Sequence, residues 1–255
     1  MQATSRIGDR LRGMGRAHWL ALYAGVLAAW ALLFAMQVPP EMATAARLGG
    51  ADWWAALCSP APGLAGAWAV FAMWALMAGA MMAPTALPAF STFDDLRGTG
   101  ANGFGALVAG YLAVWLGFAA LATAAQLALA GAGLVSALGE SLSQPLTAAL
   151  LALAGLWQFS SLKEACLSHC RRPLAFFIDH WAQGPWRMGL RLGLLCLGCC
   201  WALMALAFVG GAMNLIWMGG AMLLMTLEKL PNIGRPLTRP LGATLLGAAA
   251  VALVT

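Results

Sequence analysis

The fold class follows from one stretch of the sequence, Met188–Leu230, which reads MGLRLGLLCLGCCWALMALAFVGGAMNLIWMGGAMLLMTLEKL. Its charged residues are Arg191, Glu228 and Lys229 alone. As a helix rising 1.5 Å per residue it would be about 64 Å long, roughly twice the hydrocarbon thickness of a bilayer. We therefore predict that this stretch folds back at Gly210-Gly211 and forms two membrane spans.

The whole chain shares this composition. Its 255 residues are 62% hydrophobic and 9% charged, whereas a soluble domain has about 25% charged residues. A soluble fold of this composition would expose apolar patches that monomeric proteins rarely tolerate. The prediction is an all-α polytopic membrane helix bundle with six or seven transmembrane helices. Its other spans are His18–Val38, closed by Pro39-Pro40, then Leu64–Pro88, Gly103–Ala130, Pro145–Leu162 and a short seventh candidate, Leu241–Val254.

The positions of Lys and Arg predict the orientation. If the N-terminus is cytoplasmic, thirteen of the 14 basic residues fall on the cytoplasmic side, and only Arg47 lies outside, as the positive-inside rule requires. Residues 1–17 then form a cytoplasmic basic tail, and 18–255 form a single transmembrane domain with a cytoplasmic segment at 163–187. A signal peptide is the alternative for the first span, but its apolar core would be shorter. The net charge of +5 forms no basic stripe, so we expect no nucleic-acid partner.

Two cysteine clusters carry the functional signal. Cys166, His169 and Cys170 lie at i, i+3 and i+4, and would share one face of a helix. Cys196, Cys199 and Cys200 repeat this spacing in the fifth span. We expect the sulfurs of the two clusters to lie within about 4–5 Å of each other, as two thiolates on one metal require. The candidate metal ligands are Cys166, Cys170, Cys196, Cys199 and Cys200, with His169 and Met204 as lesser candidates.

Thiolates and thioethers select soft metals such as Cu(I) or Zn(II). Copper is favoured, because Cu(I) accepts fewer and softer ligands than the four of a structural zinc site, and zinc is the alternative. Within the second cluster we favour Cys196 and Cys200, which stack one turn apart, over Cys199.

Other interpretations of these residues remain open. Cysteines are often simply buried, and we interpret the isolated Cys58 in that way. Cys196 and Cys199 could instead serve a membrane thiol–disulfide redox protein, although disulfides are less expected on a reducing cytoplasmic side. A structural membrane subunit is the third possibility. A methionine-rich stretch places Met73, Met77 and Met81 on one face, as core filler or as a soft-metal path, and Glu228-Lys229 is interpreted as a self-neutralised helix end.

The sequence resembles a bacterial family of predicted metal-binding integral membrane proteins, the domain of unknown function 2182. The resemblance rests on Ala80–Pro84, Leu162–Pro173, Gly193–Trp201 with Leu203-Met204, and Glu228-Lys229. Members often carry His where this chain has Leu192. The resemblance implies metal binding in a bacterial inner membrane without naming a reaction. We therefore expect a protein that handles or transports a soft metal, or an unidentified membrane enzyme, with a membrane-protein partner or a second copy as a possible partner.

Overall fold

A computed structural model of the chain describes residues 17–36, 63–97, 103–136, 138–212 and 214–254. Within these ranges the structure is helical apart from turns and one isolated bridge between Val135 and Ser141. A 3₁₀ turn, Trp181–Gln183, precedes α8. The α-helices are α1 (Ala17–Met36), α2 (Leu64–Thr85), α3 (Leu87–Arg97), α4 (Phe104–Gly131), α5 (Gln144–Gln158), α6 (Ser161–Cys170), α7 (Pro173–His180), α8 (Pro185–Ala205), α9 (Ala207–Gly210), α10 (Leu215–Lys229) and α11 (Pro231–Val254).

The predicted membrane helix bundle is confirmed. Five helical stretches of the described chain are long and apolar enough to span a bilayer: α1, α2, α4, α8 with α9, and α11. A sixth span results if α5 and α6, which are bent by 64° relative to each other, are counted as one. The helix α10 has 15 residues and is therefore about 22 Å long. It is too short to cross the hydrocarbon core unless the bilayer is locally thinner.

Two predicted spans have different bounds in the structure. The fourth was expected to continue to Leu162, but α5 ends at Gln158 and the chain bends. Helix formation restarts because the side chain of Ser160 accepts a hydrogen bond from the backbone N–H of Leu162, 3.2 Å away, as an N-terminal cap.

Pro39-Pro40 and Cys58 lie outside the described residues.

The seventh predicted span was too short. It was placed at Leu241–Val254, whereas α11 begins at Pro231 and has 24 residues. The helix passes through Pro236 and Pro240, each of which lacks the backbone N–H that would bond the carbonyl four residues earlier. These prolines, each preceded by an arginine (Arg235 and Arg239), interrupt the apolar pattern without ending the helix.

Glycines allow the closest helix pairs to form. The extensive contact between α4 and α8 places Gly189 against the backbone of Leu107, and a Cβ atom added to Gly189 would collide with the Leu107 carbonyl. Gly110 faces the backbone of α8 in the same way at Trp186. Such small-residue contacts are typical of helix packing in membranes. They hold the cysteine-bearing helix α8 firmly against α4.

Candidate metal centre

Three sulfur atoms form a cluster on the buried face of α8. The Sγ atoms of Cys196, Cys199 and Cys200 all lie within 4.8 Å of one another, and all three residues are buried. The sulfurs of Cys199 and Cys200 are 3.2 Å apart. The thiol of Cys199 also donates to the backbone carbonyl of Cys196, at 3.1 Å. We call these three residues the three-sulfur cluster.

The helix itself explains this cluster. Residues three and four apart lie on one face of an α-helix, and the packed interface with α4 turns this face inward, where Leu192 and Gly193 are also buried. Sulfurs bound to a single metal at about 2.3 Å can be at most about 4.6 Å apart. The spacing of the three sulfurs therefore fits one soft metal ion with little rearrangement.

Cys196 is the most connected of the three. The hydroxyl of Tyr111, on α4, lies 3.1 Å from its sulfur, and the ammonium group of Lys229, at the end of α10, lies 3.0 Å from it. The same ammonium group donates to the hydroxyl of Thr85 at 2.6 Å. The Tyr111 hydroxyl also donates to the backbone carbonyl of Met82, 2.9 Å away. Cys196 is thus fixed by contacts to two helices besides its own.

The lysine beside Cys196 matters electrostatically. An ammonium group in contact with a sulfur stabilises its thiolate form, and the thiolate is the form that binds metals. Because the sulfur of Cys196 is buried and Lys229 is half-buried, their attraction is stronger than it would be at a surface. A Cu(I) ion would bring its own positive charge to the same sulfur and would therefore compete with Lys229 for it.

The first predicted cluster, on α6, lies against α8. The sulfur of buried Cys166 packs on Gly198, where an added Cβ atom would be 2.7 Å from it. The side chain of Cys170 is half-buried and lines a cavity together with Cys196. None of the five described cysteines is in a disulfide. The structure therefore places Cys166 against the backbone of α8, and among the described residues the sulfurs within 4.8 Å of one another are those of Cys196, Cys199 and Cys200, without Cys166 or Cys170.

The two lesser candidates have different positions. The side chain of His169 is exposed, and its Nδ1 atom lies 2.9 Å from the carbonyl oxygen of Ala165 in its own helix. Met204 is buried one turn beyond Cys200 on α8. The methionine stripe of Met73, Met77 and Met81 is buried in the core of the bundle.

Sequence reasoning did not find Tyr111, Lys229 or Thr85 as neighbours of the cysteines. The interpretation of Glu228-Lys229 as a self-neutralised helix end is wrong. The carboxylate of Glu228 instead accepts two hydrogen bonds from the Lys163 ammonium group, at 3.0 and 2.8 Å, while Lys229 contacts Cys196. The sequence feature that could have indicated these contacts is the pair Glu228-Lys229 at the end of an apolar run, because each of the two charges needs a partner elsewhere in the fold.

A cavity of about 200 Å³ adjoins Cys196. Its lining includes Thr85, Tyr111, Lys229, Cys170 and Arg171. One cysteine of each cluster therefore lines the cavity, Cys196 of the second and Cys170 of the first. Such a space allows an ion to reach both.

The comparisons with known proteins bear on copper. No curated protein sequence and no solved structure shows significant similarity to the chain. The profile of one family, PpoB2, described as copper chaperone, matches residues 71–252. That range contains both cysteine clusters and Lys229. The resemblance to the domain of unknown function 2182 stays a prediction, because the family profile that matches is that of the copper chaperones. Since the match covers well over half of the chain, the protein belongs to the PpoB2 family of copper chaperones.

Proposed function

We propose that this protein binds Cu(I) as cargo through Cys196, Cys199 and Cys200, inside the membrane, and passes it to a partner protein. The observation that carries the proposal is the three-sulfur cluster, with all sulfurs within 4.8 Å of one another. Membership of a copper chaperone family supports copper as the metal.

The donor set favours Cu(I) over Zn(II). A closed zinc site normally has four ligands, often including His, whereas the three-sulfur cluster offers three sulfurs and the side chain of His169 is exposed on α6. Soft thiolate ligands in low number suit Cu(I). Buried sulfurs also protect Cu(I) from water and oxidants.

Cys170 gives the ion a route. It lines the same cavity as Cys196. A Cu(I) ion can move between sites by exchanging one thiolate for the next without ever losing all of its ligands. We therefore assign Cys170 to the entry or exit of the metal and Cys166 to a supporting position against Gly198.

The basic residues around the cavity that Cys170 and Cys196 line fit a cytoplasmic location. Lys163, Arg171 and Lys229 all lie near the cavity or the helices that form it, and basic residues mark the cytoplasmic side of a membrane protein. The proposed chaperone thus exchanges copper at the cytoplasmic surface of a bacterial inner membrane, with a membrane protein or a second copy as partner.

The test is anaerobic titration of the full-length, reduced protein in detergent with Cu(I), against a chromogenic Cu(I) chelator. We expect one tightly bound ion per chain, with copper–sulfur distances by X-ray absorption close to the roughly 2.3 Å of zinc–thiolate bonds. Cys196→Ser and Cys200→Ser should each weaken binding at least tenfold. The matched control is Cys58→Ser, which changes a cysteine outside both clusters and should bind copper like the wild type.

Three outcomes would contradict the proposal. One is equal binding by the Cys196→Ser variant and the wild type. Another is tighter binding of Zn(II) than of Cu(I) in parallel titrations. The third is a protein that holds no metal but cycles Cys199 and Cys200 between thiol and disulfide, as a redox protein would.

A further inference from the structure

A second cavity, of about 1070 Å³, lies where α5 bends into α6. It is lined by residues from the end of α5, the first turns of α6 and the N-terminal half of α11. Its origin is the 64° bend. Before the bend, α5 packs closely on α11 at Gly155 and Gly242. After the bend, α6 runs in a different direction, and the cavity lies between α6 and α11.

One buried side chain in this space has no partner among the described residues. Gln158 is 4% exposed, and neither its amide nitrogen nor its amide oxygen makes a hydrogen bond. It lines the cavity, and its Cβ atom packs on Gly242. Leaving both halves of a buried amide unbonded is unfavourable. Neither amide atom is open to the cavity in this conformation. A ligand group that both accepts and donates hydrogen bonds would satisfy the amide once the side chain turns toward the cavity.

The cavity wall is basic and rich in hydroxyl groups. Arg235 and Arg239 are one turn apart on the same face of α11. Ser160 and Ser161 lie at the N-terminus of α6, where the helix dipole attracts anions. One carboxylate, that of Glu164, also lines the cavity, and it is paired with the guanidinium group of Arg171 at 3.1 Å.

Apolar residues also line the cavity. They are Phe159, which is half exposed, Ala165 and Pro236. Leu156 and Leu162, on α5 and α6, are exposed as well. A cavity lined by both cationic and apolar residues, at the level where basic residues mark one membrane surface, matches the two chemistries of a phospholipid.

We propose that this cavity binds the headgroup of an anionic glycerophospholipid, with its phosphate at Arg235 and Arg239 and headgroup hydroxyls at Gln158. This goes beyond the proposed copper function. With its side chain turned toward the cavity, Gln158 would donate from its amide nitrogen to a phosphate oxygen and accept at its amide oxygen from a glycerol hydroxyl. The volume is far larger than free phosphate needs, and basic pockets between membrane helices are known sites for anionic lipid headgroups.

The experiment is native mass spectrometry of the full-length protein released from neutral detergent, after addition of phosphatidylglycerol, phosphatidylcholine or inorganic phosphate. We expect one phosphatidylglycerol molecule per chain, bound at least tenfold more tightly than phosphatidylcholine. The Arg235→Gln/Arg239→Gln double variant should lose that preference, at about fivefold for each arginine. The matched control is Arg187→Gln/Arg191→Gln, which removes two exposed basic residues that do not line the cavity and should keep the preference.

Gln158→Leu separates lipid binding from folding. It removes the unpaired amide, so the lipid-free protein should unfold at the same or a higher temperature, while phosphatidylglycerol should bind several-fold more weakly. Equal phosphatidylglycerol binding by this variant would mean that water alone satisfies Gln158, and the proposal would be wrong. It would also fail if millimolar phosphate displaced the lipid completely, or if both arginine double variants lost the preference equally.

Discussion

The buried ion pair between Lys163 and Glu228 provides the sharpest test of how the two cysteine-bearing helices are held together. The two side chains are 0% and 1% exposed, and the ammonium group lies 2.8 Å from one carboxylate oxygen and 3.0 Å from the other. The pair joins α6 to the end of α10. We predict that Lys163→Met destabilises the protein strongly.

The magnitude follows from burial. Removing one partner of a buried ion pair leaves a charge without compensation and typically costs about 3–5 kcal/mol. The double variant Lys163→Met/Glu228→Met removes both charges and fills a similar volume, so it should recover most of that loss. The control is Glu164→Gln, which neutralises the half-exposed partner of Arg171. The side chain of Arg171 is 4% exposed, but the new amide oxygen can still accept its hydrogen bond, so this change should cost only about 1 kcal/mol.

The assay is reversible unfolding of the detergent-solubilised protein, followed by tryptophan fluorescence, with all four proteins in the same detergent. The expected order of stability is wild type close to Glu164→Gln, then the double variant, then Lys163→Met. The reasoning is refuted if Lys163→Met loses less than about 1 kcal/mol, or if the double variant is no more stable than the single one.

Further predictions concern packing and topology. Gly189→Ala should cost about 1–3 kcal/mol in unfolding free energy, because the new methyl group meets the backbone of α4, whereas Gly117→Ala, with open space around it, should be neutral or slightly stabilising. Tyr111→Phe removes a hydroxyl beside the three-sulfur cluster and should lower stability by about 1 kcal/mol with unchanged copper stoichiometry. A periplasm-dependent reporter enzyme should be inactive when fused after Arg97 and active after Ala132, and activity at Arg97 would contradict the assigned orientation.

The sequence predicted the bundle well because long apolar runs carry a strong signal. It predicted the ends of the helices less well, and α11 shows why. Pro236 and Pro240 interrupt the apolar pattern of its first half, although a helix can continue through proline when neighbouring helices satisfy the freed carbonyls. The bend after Gln158 depends on the cap by Ser160 and on the packing of α6 against α8, which no local pattern shows.

At the candidate site, too, local patterns could be predicted from the sequence and contacts between helices could not. The grouping of Cys196, Cys199 and Cys200 could be predicted because it depends only on the geometry of one helix. Tyr111 and Lys229 contact Cys196 across 85 and 33 residues of sequence, and such contacts follow from how helices pack. The choice of Cys196 and Cys200 over Cys199 as ligands stays a prediction.

The end of α10 connects the ion pair with the candidate metal site. Glu228 and Lys229 are neighbours in the sequence, and adjacent residues on a helix point about 100° apart. Because this helix end lies between α6 and α8, Glu228 contacts Lys163 on α6 while Lys229 contacts Cys196 on α8. Any movement of α10 therefore changes both contacts together. On the proposed copper site, a Cu(I) ion that took the place of Lys229 at Cys196 would act on the helix end whose other side chain anchors α6, the helix that carries Cys170. Copper binding and the position of Cys170 would then be coupled by two consecutive residues.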